Sequence, residues 1–214
     1  MNEYTMITYR LNRSVKPTVV LQAIEEIMQI QGACYHNCLF KMNVLINEYE
    51  FEGTIHSNRR RNAVLSICKA NPAFEDFCEY TKEDKGEGYI REDLCISNFS
   101  DTDYSPKGTI EYPVLREVIT QIPRPYGVSD LELIFNDVCF SNEEYGDFIR
   151  PSQNSFGSPI GNYIRYNRSV YGDEKHSHVF FTAAKALIGD MRGFFFDFSQ
   201  RVPGKYEGVE LNYD

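Results

Sequence analysis

The chain has 214 residues, of which 42% are hydrophobic and 25% charged, and its net charge is −9 at pH 7. Fifteen Tyr and fifteen Phe supply ample core material, which excludes intrinsic disorder. The acidic balance argues against a nucleic-acid partner, because such binding draws on Lys and Arg neutralising phosphates.

Tyr4–Leu11 is rich in β-formers and reads as a strand. Pro17 then opens a helix, since its missing N–H is an orphan at that position anyway. Val20, Ile24, Ile27 and Met28 share one helical face, Glu25 and Glu26 lie outside it, and Gly32 supplies the stop. Cys38–Ile46 reads as a second strand. Beyond a turn at Asn47, Glu48, Glu50 and Glu52 alternate with Tyr49 and Phe51 as a third strand with one acidic face. Ser57 or Asn58 caps a helix reaching Ala70, and Asn71-Pro72 restarts it so that Phe74, Phe77 and Cys78 extend its apolar side. Tyr89–Ile96 is a further strand.

Residues 4–97 therefore read β-α-β-β-α-β, the ferredoxin-like order. The polar stretch Ser97–Thr109 follows as a linker. Beyond it the expected elements are a helix from Pro113 to Ile122, strands Leu131–Phe140 and Asn162–Val170, a helix His178–Met191, and strands Phe194–Phe198 and Tyr206–Tyr213. The expected fold class is α+β: an antiparallel sheet with helices packed on one face, open to division into two ferredoxin-like (βαββαβ) halves. Those halves would be residues 1–97 and 113–214, joined by a linker at 98–112 and packed as one unit.

Arg59, Arg60 and Arg61 are the sharpest local oddity. Three cations in a helix's first turn oppose its dipole, and a bound phosphate or carboxylate would reverse that sign. With His56 just before them, they are the candidate anion site. The acidic strand residues Glu48, Glu50 and Glu52, with Glu143, Glu144 and Tyr145, are the candidate interaction surface for a basic protein.

Cys34-Tyr-His36-Asn-Cys38 has soft ligands at close spacing but no second pair to complete a zinc site. His176 and His178 sit beside Asp173 and Glu174 without a specific metal spacing, and Ser177 is expected to cap the following helix. Tyr163-Ile-Arg165-Tyr166-Asn-Arg168 interleaves basic and aromatic residues, but the surrounding pattern of an RNA-binding sheet is missing. Neither phosphate-cradling glycine motif occurs, so no cofactor and no metal are expected. An early acid at Glu3 and apolar runs as short as Val44–Ile46 point to a cytoplasmic chain with reduced thiols and no membrane partner.

Two functions follow as expectations. The first is a non-enzymatic acidic interaction protein of inhibitor, immunity or adaptor type that binds another macromolecule, most simply a protein. The second is a small-molecule-binding protein or enzyme acting on a phosphorylated or carboxylated ligand held at Arg59–Arg61.

Overall fold

The computed structural model describes residues 3–35, 37–50, 66, 70, 74, 77–86, 89–100, 107–108, 110–121, 128–136, 138–140, 162–169, 176–185 and 187–213. Strand β1 (Glu3–Leu11) leads to helix α1 (Pro17–Gln31), the short β2 (Ala33–Cys34) and the long β3 (Asn37–Glu50). Next come β4 (Cys78–Asp84), β5 (Tyr89–Ser97), α2 (Tyr112–Gln121), β6 (Val128–Asn136) and the short β7 (Cys139–Phe140). The chain ends with β8 (Tyr163–Ser169), β9 (His176–Ala184), α3 (Ile188–Arg201) and β10 (Gly204–Tyr213).

Helix α1 matches its local chemistry closely. Pro17 opens it, Val20, Leu21, Ile24, Ile27 and Met28 are buried, and Gly32 ends it at φ 61°. There the αL conformation, cheap only for glycine, lets its N–H reach carbonyls of the last turn. Helix α2 likewise buries Tyr112, Leu115, Val118 and Ile119. The Tyr112 hydroxyl donates to the Leu21 carbonyl at 3.0 Å, tying the two helices together.

Among the described residues eight strands form one fully antiparallel sheet in the order β10-β1-β9-β8-β6-β3-β5-β4, while β2 and β7 pair with each other. Alternate residues face the helices: Ile7, Tyr9 and Leu11 in β1, Phe40, Met42 and Val44 in β3, Leu133 and Phe135 in β6, and Phe181 and Ala183 in β9. They share a single core with the inner faces of α1, α2 and α3. Aromatic edges knit that core together, with Tyr9 and Phe181 each set against Phe198 at 5.9 and 5.4 Å between ring centroids. Sheet-plus-helix α+β architecture is therefore observed.

The sheet is not divided at residues 98–112. Strand β1 lies between β10 and β9, so both of its edges are taken by strands from the far end of the chain and it pairs with none of β3, β4 and β5. Strand β3 pairs with β6 across the expected linker, and within that stretch Asn98, Phe99, Ile110 and Tyr112 are buried. The strands instead form two contiguous quartets that meet at the β8–β6 pair. One quartet is β1, β8, β9 and β10, and the other is β3, β4, β5 and β6. Numbered by chain position within each quartet, both run fourth, first, third, second across the sheet. The second quartet is thus inserted between α1 and β8, and the β2–β7 pair sits at its neck.

Several local expectations are corrected. No turn occurs at Asn47: β3 continues to Glu50 through a bulge between Leu45 and Asn47, so the interrupted alternation is absorbed within one strand. Strand β4 begins at Cys78, the residue expected to extend the helix's apolar side, and continues to Asp84. As an edge strand it pairs on one side only and tolerates the charged sequence CEYTKED. His176–Ala184 is a strand and Ile188–Arg201 a helix, the reverse of expectation, and Ser177 caps nothing. In β9 the period is two, with Val179, Phe181 and Ala183 buried. In α3 Phe194 and Phe198 are buried one turn apart while Phe196 is exposed.

Candidate functional site

His56, Glu52, Arg59, Arg60, Arg61, Glu143, Glu144 and Tyr145 lie outside the described residues. Glu48 and Glu50 fall at the end of β3, in register with Arg91 and Tyr89 of β5. Cys34 and Cys38 do not act together. Cys34 is exposed on β2, whereas Cys38 is buried in the core, where lack of solvation pushes its thiol up to about 12. A thiol held this far above its ordinary value stays protonated at neutral pH. Among the described residues no three His, Cys, Asp or Glu side chains converge as a metal would require.

What the described residues bring together is the sheet face opposite the helices. The register places Arg10, His178, Asn167, Glu132 and Lys41 side by side across β1, β9, β8, β6 and β3. All five strands expose alternate residues to this face, so one row of polar side chains crosses the seam between the quartets. At one end Glu207 of β10 accepts from Arg10 Nε at 3.0 Å and meets His178 Nε2 at 3.1 Å. The His178 ring stacks on Phe180 with centroids 5.8 Å apart. At the seam Arg165 of β8 pairs with Glu132 of β6 at 2.6 Å, and its guanidinium carbon lies 5.9 Å from the Phe180 ring centroid.

Beyond Glu132 the face opens into a shallow groove of about 210 Å³ lined by Lys41, Asn43, Leu131, Glu132, Asn167, Arg168 and Ser169. Lys41, Asn43, Glu132, Asn167 and Ser169 reach the groove from this face, whereas Leu131 and Arg168 alternate onto the helix side. At the opposite end the same face is closed by an apolar cluster of Leu39, Phe99, Ile134 and Tyr163. Phe99 belongs to the segment after β5 that was expected to be linker.

No protein family, no characterised protein and no solved structure matches this chain.

Tyr163 and Tyr166, the aromatic residues of the basic–aromatic stretch, are both buried. Tyr163 closes the apolar cluster and Tyr166 faces the helix core, where burial pushes its hydroxyl up to about 12. The sequence marks Asn167 and Arg168 within the basic–aromatic stretch Tyr163–Arg168, but the other groove residues carry no motif. The face otherwise leaves only alternation: Lys41 and Asn43, or Arg165 and Asn167, each two apart within strands whose intervening residues are apolar. Alternation names a face but not the neighbouring strand, so convergence across β3, β6 and β8 leaves no local mark.

Proposed function

We propose that this chain is a non-enzymatic interaction protein, and that another protein docks on the polar sheet face centred on Lys41, Asn43, Glu132 and Asn167. The carrying observation is the row of cross-strand polar side chains running over both quartets, held in place by ion pairs before any partner arrives. Preformed polar surfaces lose little side-chain entropy on docking. The groove's volume, about 210 Å³, falls below the roughly 300–1,000 Å³ usual for small-molecule pockets, and so favours an extended partner. Charges of both signs on the face suit a protein surface better than a phosphate backbone, and the net charge of −9 steers basic partners toward the molecule.

The same topology favours a finer description of the fold. Two quartets with the order fourth, first, third, second, each with a helix before its fourth strand, are what two ferredoxin-like units would give, with one inserted into the other. Between β3 and β4, the Ala70 N–H reaches the Ser66 carbonyl at 3.0 Å, a helical bond where the inserted unit needs its first helix.

The test pairs native cross-linking mass spectrometry with a double charge variant, Asn43→Arg with Asn167→Arg. A partner bound at this face should cross-link through Lys41 in the wild type and disappear with the variant, while melting temperature stays unchanged. Recovery of the same partner by both proteins would overturn the assignment. A wild-type melting temperature raised by millimolar sulfate, nucleotides or sugar phosphates would favour the anionic small-ligand reading instead.

A further inference from the structure

We infer that Cys34 and Cys139 form a redox-active pair that closes to a disulfide and clasps the neck of the inserted quartet. The two residues stand directly opposite each other in the antiparallel β2–β7 ladder. Their sulfurs lie 2.7 Å apart, although the residues are 105 positions apart in the chain. Facing residues of an antiparallel pair have Cα atoms about 4.5–5.5 Å apart, inside the roughly 4.4–6.8 Å span a disulfide accepts. Bond formation therefore needs a shift of the sulfurs and no rearrangement of the strands.

Position gives the pair its significance. Cys34 lies just after α1, where the chain leaves the first quartet, and Cys139 lies just after β6, where the inserted quartet ends. A bond between them closes a loop holding β3, β4, β5, α2 and β6. Access favours exchange, since Cys34 is exposed and Cys139 partly so, whereas Cys38 is buried.

The oxidant is a small-molecule disulfide of the glutathione class. Cys34 thiolate attacks one of its sulfurs, forming a mixed disulfide and releasing one thiolate. Cys139 thiolate then attacks the Cys34 sulfur and expels the second. Two protein thiols lose two protons and two electrons, and the external disulfide is reduced to two thiols.

The test equilibrates the full chain in oxidised and reduced glutathione mixtures, quenches with acid, alkylates and maps peptides by mass spectrometry without reduction. The expected result is one species, 34–139 linked, that reverts in excess reduced glutathione. Closing so long a loop should raise the melting temperature of the oxidised form by about 5 °C or more. Cys34→Ser and Cys139→Ser should each abolish the linked peptide and the temperature difference, whereas Cys38→Ala should keep the linkage. Full alkylation of both thiols in oxidised glutathione, linkage to a different cysteine, or zinc-dependent protection of both thiols without a disulfide would each overturn the inference.

Discussion

Asn98 and Phe40 hold each other by two hydrogen bonds: the Asn98 side-chain oxygen accepts the Phe40 N–H at 2.8 Å, and the Asn98 N–H reaches the Phe40 carbonyl at 3.2 Å. The Asn98 amide nitrogen also donates to the carbonyls of Cys38 and Gly108 at 3.0 and 3.2 Å. With Asn98 wholly buried, its amide satisfies backbone groups of β3 beyond the end of the β5 ladder. Asn98→Ala would leave those groups unpaired at a cost of about 2–4 kcal/mol. Urea denaturation should show this as a lower midpoint at unchanged slope.

The Arg165–Glu132 pair spans the β8–β6 junction, where the two quartets meet. Both side chains are about one-fifth exposed, at 22% and 19%, so removing one partner strands a poorly solvated charge. Arg165→Ala and Glu132→Ala should each cost about 1–3 kcal/mol, and the double variant less than the sum. A double-mutant cycle on chemical denaturation measures the difference. A strictly additive cycle would show the pair to be energetically idle.

Gly204 begins β10 where two groups already press in. A Cβ there would lie 2.4 Å from the Arg10 carbonyl oxygen and 2.7 Å from the Tyr9 ring. Tyr9 cannot yield freely, because its hydroxyl donates to the Val202 carbonyl at 2.9 Å. Gly204→Ala should therefore destabilise the protein by about 1–3 kcal/mol through overpacking, whereas Gly189→Ala, with nothing within 4 Å of the added carbon, should not. Melting temperatures of the two variants provide the comparison.

Burial raises the tyrosines at 9, 35, 112 and 166 above the ordinary value of 10.0, with Tyr35 and Tyr166 at about 12. The neutral forms are the ones the fold accommodates. Stability is thus fully present below pH 10, where tyrosine is neutral folded or unfolded. It falls as pH rises toward 12, because the unfolded chain ionises first. The urea midpoint should decline steadily over that interval, and Tyr166→Phe should flatten the decline. A midpoint independent of pH up to 12 would contradict the burial of these hydroxyls.

Local chemistry alone determined helix α1 and its ends, the strand at Tyr4–Leu11 and the strand from Tyr89. Pro17, Gly32 and a sustained period of 3.6 or 2 act within a few residues of the backbone they shape. Where periodicity and propensity competed, as in HSHVFFTAA before the run of three Phe, neighbours in the fold decided: Phe181 needed the sheet and Phe194 and Phe198 needed a helix turn to reach one core. Only tertiary structure placed β1 between β9 and β10, drew Lys41, Glu132 and Asn167 into one row, and set Cys34 against Cys139. Backbone hydrogen bonds between distant strands depend on which N–H meets which carbonyl, and no short stretch of side chains encodes that partner.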